Sequence, residues 1–233
     1  MKVVGAHEVL KGDLMLYEEL QLELLKLLQR RGAWERVVAF DIETSARGRF
    51  FSGERVLSVS LARRSSGKPR EDKGIELKTL FLEEETDEAE IELLRCLNEV
   101  LEEIKPLCLI GYGIRQYDVP LLVVKKQQYG KHYKQLYGQL PWRLIDALES
   151  AIHIDLYHIL KYKGYKKFDQ ALSSEEFRHL PLRRTKEGLP SDKVGGGERI
   201  YRLWMENREK LKEYAEGEVH DVLLIAEELV LRG

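Results

Sequence analysis

The chain has 233 residues, 43% apolar and 33% charged, a composition that sets aside disordered and fibrous classes and supports a sizeable hydrophobic core. Its formal net charge is −2, so any polyanionic partner must be met by local basic patches rather than by the field of the whole molecule. Cys96 and Cys108, flanked as LLRCLNE and PLCLIG, read as buried apolar positions, with no C-x-x-C pair or Cys/His cluster to indicate a disulfide framework or a zinc site.

Met1-Lys2-Val3-Val4 leads into His7-Glu8 rather than into an apolar signal segment. No run approaches the ~18 apolar residues of a membrane span, and the expected location is cytoplasmic. Residues 14–31, LMLYEELQLELLKLLQRR, set Leu and Tyr at helical spacing and predict an amphipathic helix ended by Arg30-Arg31-Gly32. VVAF (37–40) predicts a buried strand. After a loop over 44–55, RVLSVSLARR and GIELKTLFLEE read as two further strands of an antiparallel meander. Thr86 can cap a helix through about Ile104, apolar at 91, 94, 97, 101 and 104, which Pro106 stops. LCLIGYG (107–113) is another short buried strand, turning at two glycines, and Asp118 follows at the head of a helix with Pro120 in its first turn. AIHIDLYHIL (151–160) predicts a strand running into a helix. Residues 161–200 are loop-rich and basic, and about 198–231 is two helical segments, or one with a weak point near Gly217. The order predicts an α/β fold with a mixed central sheet flanked by helices over 36–233, and an N-terminal helical extension over 1–35 that packs on it or binds a partner.

Residues i and i+2 of a strand share a face, so Asp41 and Glu43 project together from the carboxyl end of a buried strand, where sites of α/β sheets gather. Two like charges there call for a cation, and hard oxygen donors suit Mg²⁺ or Mn²⁺. The bland alternative is two acids meeting solvent. Asp118 follows a second buried strand, in a position that also suits a simple helix cap. Tyr214, Glu218 and Asp221 fall on one stripe of the last helix, which by itself reads equally as a solvated face.

Taken in order, Phe40-Asp41-Ile42-Glu43-Thr44, then Gly111-Tyr112-Gly113-Ile114-Arg115-Gln116-Tyr117-Asp118-Val119-Pro120-Leu121-Leu122, then Tyr214 with the acids after it resemble the DEDD superfamily of 3′–5′ exonucleases. The likeness is greatest to the proofreading exonuclease domain of family B DNA polymerases. AIHIDLYHIL and ERIYRLWMENREKLKEYAEGEV are similar to the segments before the last motif, so the resemblance covers about residues 36–231. It implies a ribonuclease H-like fold and two divalent ions, Mg²⁺ or Mn²⁺, held by four carboxylates. Asp41 and Glu43 would be the first two ligands and Asp118 the third, with Tyr214 orienting or activating the attacking water. The chain departs from the family twice. Gly113 stands where the family usually has Asn, and Glu218 stands where it has Asp. A carboxylate displaced by about 1 Å can cost ~10²-fold in rate. Register favours Glu218 as the fourth ligand; Asp221, one turn later, is the alternative, and a site that no longer binds metal well is a third. His220 fits no histidine variant of the superfamily and reads as a surface or structural residue.

Thr44, Tyr112 and Arg115 in these motifs are candidate nucleic-acid contacts. Arg47, Arg49, Phe50 and Phe51 follow the first motif, and Phe51 is a candidate wedge against a terminal base, or a residue that packs the loop down. Lys161-Tyr162-Lys163-Gly164-Tyr165-Lys166-Lys167-Phe168 interleaves bases with rings, as a strand-tracking surface does, or as a solvated loop with anchors in the core does. Lys163 and Lys166 are its candidate contacts, and Arg183-Arg184-x-Lys186 is a second basic site. Gly195-Gly196-Gly197 lacks the Lys-Ser/Thr of a phosphate loop. Asp146 and Asp155 read as structural. The expectation is a stand-alone, metal-dependent 3′–5′ exonuclease acting on single-stranded DNA or RNA 3′ ends, with no membrane partner. The alternative is a catalytically weak or inactive exonuclease-like domain that binds nucleic acid, or a polymerase or other DNA replication or repair partner. An endonuclease on the same fold is a third reading.

Overall fold

Five strands form one sheet in the computed structural model, which describes residues 6–45, 51, 53–66, 68–138, 144–184 and 196–232, with backbone alone over 6–16 and at 196. The strands are β1 (Val37–Thr44), β2 (Val56–Arg64), β3 (Ile75–Phe81), β4 (Cys108–Gly111) and β5 (Ile152–Asp155), in the spatial order β3-β2-β1-β4-β5. β1, β2 and β3 form the predicted antiparallel meander, and β4 and β5 add on parallel to β1. The sheet is therefore mixed, with β1 at its centre. The helices are α1 (Ala6–Arg30), α2 (Asp87–Ile104), α3 (Asp118–Tyr137), α4 (Asp146–Glu149), α5 (Leu156–Tyr162), α6 (Phe168–Leu172), α7 (Gly196–Glu206) and α8 (Arg208–Arg232).

Strand alternation divides β1 between two cores. Val38, Phe40 and Ile42 pack with Ile91, Leu94, Leu97 and Leu101 of α2 and with Leu121 and Leu122 of α3. Val37 and Ala39 face the other way, onto Leu25 of α1, Ile159 of α5 and Val219, Val222 and Leu223 of α8. Asp41 and Glu43 continue this second face, so α8 comes down on the side of the sheet where the acids emerge. The local signals acted as predicted at α2: Thr86 Oγ1 accepts the Ala89 N–H at its start, and Lys105 closes it in a left-handed conformation before Pro106.

Three expectations need correction, the first only in part. The last stretch is two helical segments, as one of its two readings had it, with the break at Asn207, whose side chain accepts the Lys210 N–H and starts α8; the alternative weak point, Gly217, is buried inside α8. Packing of α8 on the sheet outweighs the poor helix propensity of one glycine. The loop-rich stretch 161–200 contains α6 and the start of α7. Cys96 is only partly buried, unlike Cys108. Among the described residues, no helix is long and apolar enough to cross a membrane.

The C-terminal half of α8 is held by charge inside the core. Glu227, fully buried, accepts from the Arg64 guanidinium, from Trp34 Nε1 at 2.9 Å and from the Arg70 N–H at 2.6 Å. The adjacent Glu228 is paired with Arg70, His179 and Arg232. Removing one member of such a group leaves an uncompensated buried charge. Glu227→Ala should therefore cost roughly 3–5 kcal/mol in chemical denaturation, as other broken buried pairs do. A loss under about 1 kcal/mol would show that Arg64 finds water instead.

Candidate metal centre

Asp41, Glu43 and Glu218 each offer a carboxylate oxygen to one cluster, with the three oxygens within 4.8 Å of one another. β1 supplies the first two through its period of two, and α8 supplies the third across the sheet. All three are partly exposed, so the cluster opens to solvent at the sheet's end. Asp118 lies beside it at the N-terminus of α3 and is 4% exposed. Its carboxyl is pushed well above its ordinary range, chiefly by burial and then by the negative charges of Asp41, Asp155 and Glu218. Tyr214, one turn before Glu218 on α8, hydrogen-bonds that residue. Burial raises its phenol pKa first, and the charges of Glu43, Glu218 and Asp41 raise it further, so the ring carries a neutral hydroxyl. A crowded all-oxygen anionic donor set of this kind fits hard divalent cations such as Mg²⁺ or Mn²⁺.

The turn that delivers Asp118 is fixed by backbone rather than by packing alone. A Cβ at Gly111 would lie 2.7 Å from the Phe40 carbonyl oxygen, so glycine is required where β4 runs against β1. Gly113 has φ +86°, a conformation that glycine adopts freely and asparagine tolerates better than most residues. Asp155 then gathers this turn: its carboxylate accepts the N–H groups of Gly113 at 2.8 Å and Arg115 at 3.2 Å, and that of Tyr157 at 2.9 Å. Its own N–H donates to Gln21 Oε1 on α1 at 3.2 Å. Asp155 is thus structural, as expected, but it organises the second motif. A third tie joins the motifs directly, where Tyr117 Oη donates to Glu54 and lies 3.0 Å from Thr44 Oγ1. Nothing local marks Gln21 or Glu54; each meets the site from a distant part of the chain.

The remaining candidates lie as follows. Asp221 does not join the carboxylate cluster. It is buried, accepts the N–H groups of Arg183 at 2.8 Å and Arg184 at 2.9 Å, and contacts His220. Both of its oxygens are committed to holding a chain segment. His220 is buried, not at the surface, and also meets Asp72 at 2.6 Å. Phe51 packs on Tyr117 at 5.5 Å between ring centroids, beside the buried Thr44. Tyr112 packs between Phe168 at 4.8 Å and Tyr157 at 5.6 Å. Arg115 is exposed and stands over the Tyr17 ring. Lys163 pairs with Glu176 at 2.9 Å, and Lys166 is exposed. Arg47, Arg49, Phe50, Lys186 and Gly195 lie outside the described residues.

Sheet order, strand directions and an acidic cluster at the end of the central strand define an α/β domain of the ribonuclease H-like kind. The model of the DNA polymerase family B exonuclease domain matches residues 24–174, more than half of the chain, and the chain belongs to this family. The match ends before α8, so Tyr214 and Glu218 join the site on geometry alone. Among solved structures, the family B DNA polymerase from the hyperthermophilic archaeon Pyrobaculum calidifontis shares the fold, with TM-score 0.53 and 17% identity. The likeness covers 83% of this chain and 24% of that polymerase. No curated protein matches the chain.

The displaced pKa of Asp118 has a measurable consequence in metal-free protein. Above its ordinary 3.8, the folded state holds a proton that the unfolded state has released. Stability then falls as pH rises through the window from 3.8 to the elevated folded value. Melting temperatures of chelator-treated protein should show this decline, and Asp118→Asn should flatten it. Parallel pH profiles for the two proteins would refute the assignment.

Proposed function

We propose that the chain is a metal-dependent 3′–5′ exonuclease that hydrolyses the terminal phosphodiester of single-stranded nucleic acid. The observation that carries this reading is the convergence of Asp41, Glu43 and Glu218 into one cluster, with Asp118 against it. Membership of the family B exonuclease domains supports it further.

Asp41, Glu43, Asp118 and Glu218 would hold two divalent ions. When bound, such ions make a water nucleophilic at neutral pH and stabilise the leaving 3′ oxygen. Asp118 must release its proton to serve as a ligand, which makes cation binding stronger as pH rises. Tyr214 acts as a donor, not as a base. Its raised phenol pKa keeps the hydroxyl protonated at neutral pH, and from one turn above Glu218 it orients the water for in-line attack. Thr44 and Phe51, gathered at Tyr117, line the approach of the terminal nucleotide. Exposed Arg115 and Lys166 are available to the phosphate backbone.

A 5′-labelled single strand incubated with Mg²⁺ or Mn²⁺ tests the proposal. Wild type should yield a ladder shortened from the 3′ end. Asp41→Ala, Asp118→Ala and Glu218→Ala should each lose about 10²-fold or more in rate while the protein stays folded. Asp221→Ala should act differently, lowering stability by roughly 1–3 kcal/mol through the stranded N–H groups of Arg183 and Arg184. Full activity in Asp41→Ala, or loss of activity in a stable Asp221→Ala, would remove the assignment.

A further inference from the structure

Antiparallel pairing sets Ser58 of β2 directly across from Glu43 of β1, and Ser60 directly across from Asp41. Opposed residues of such a pair share a face, with Cβ atoms about 4.5–5.5 Å apart. Two hydroxyls therefore flank the two acids of the strand, and their situations differ. Ser60 Oγ bonds Thr79 Oγ1 at 2.8 Å, and Thr79 in turn reaches Glu216 of α8 at 3.4 Å. Ser58 is fully buried, and its Oγ has no hydrogen-bond partner among the described residues. A buried hydroxyl left without a partner costs the fold about 1–3 kcal/mol. The strand has no general need of hydroxyls on this face, since Ala62 occupies it two residues beyond Ser60 and is equally buried.

We propose that Ser58 is a positioning residue of the metal centre, whose hydroxyl donates to the Glu43 carboxylate when that carboxylate engages a divalent cation. The inference rests on reading the carboxylate cluster as a cation site. A carboxylate has about four lone-pair directions, and a cation occupies only one side of it. A protein donor on another side restricts rotation of the side chain and holds the coordinating oxygen in place. Partners of this outer kind typically account for ~10–100-fold in metal affinity. Ser58 is suited to this role because it is on the adjacent strand, on the same face, at the register position opposite Glu43, and buried. A cation held by Glu43 would fix that carboxylate where the buried Ser58 hydroxyl can reach it as an acceptor.

Calorimetric Mn²⁺ titration, paired with melting of the metal-free protein, separates this role from simple packing. Ser58→Ala should bind Mn²⁺ ~10–100-fold more weakly, while its metal-free melting temperature holds or rises because an unsatisfied group has gone. Ser58→Cys keeps the volume but donates weakly, and should behave as the alanine variant does. Wild-type affinity in Ser58→Ala overturns the proposal. So does a fall in both affinity and metal-free stability that Ser58→Cys repairs, since that pattern belongs to a packing role. If wild type itself takes up no Mn²⁺, the cation reading fails and this proposal goes with it. If wild type binds and Ser58→Ala binds equally, only the proposal fails.

Discussion

Mutual repulsion among carboxylates at the end of β1 is the constraint around which the rest of the molecule is organised. Asp41, Glu43 and Glu218 crowd within one cluster, and Asp118 is buried against them without a basic side chain among the causes of its shifted pKa. Desolvation and like charge both oppose ionisation of Asp118. A flexible chain would relieve the crowding by letting the acids swing apart. The elements that carry them are therefore rigid, and each is anchored at a distance from the acids themselves.

The anchors differ by element. β1 is the central strand, paired with β2 through both of its acids and with β4 as far as Ala39. The start of α3 is held by the turn from Gly111 to Tyr117, whose N–H groups converge on the buried carboxylate of Asp155. α8 is held from its far end, where Glu227 and Glu228 are tied to Arg64 and Arg70, and from its middle, where Asp221 holds the backbone of Arg183 and Arg184. Negative charge thus recurs along α8 in two conditions. Where it is met by arginine or backbone N–H groups it stabilises position. At Glu218, hydrogen-bonded to Tyr214 and partly open to solvent, it joins the carboxylate cluster. The N-terminal helix takes part in the same scheme through Gln21, which accepts the N–H of Asp155.

How much of this is legible in the sequence depends on the range of the interaction. Asp41 and Glu43 are visible because a strand's period of two is a local property, and the cap at Thr86 and the left-handed turn at Gly32 are visible for similar reasons. The choice between Glu218 and Asp221 is not open to spacing, because i+3 and i+4 share a helix face. What separates them is a segment 38 residues away that arrives to occupy Asp221. Asp155 is recognisable as structural, but its hold on Gly113 spans 42 residues and has no local signature. Two C-terminal helical segments are legible, but the single helix weakened at Gly217 is an equal reading, because propensity marks the glycine while packing against the sheet overrides it. Tyr112 and Phe168, in segments that read as nucleic-acid facing, meet in the second core, which the alternation of bases and rings does not distinguish from stacking on a strand.

The two departures from the family pattern look different once the backbone is considered. At position 113 the requirement is a positive φ together with an N–H aimed at Asp155, and glycine meets both. The side chain that asparagine would have offered is lost, but the turn that places Asp118 is not. At position 218 the extra methylene of glutamate would misplace a carboxylate only if α8 stood where an aspartate needs it. Here the helix is positioned by its own buried charges, and Glu218 brings its oxygen within 4.8 Å of those of Asp41 and Glu43 while hydrogen-bonded to Tyr214. The acid that departs from the pattern therefore still reaches the cluster.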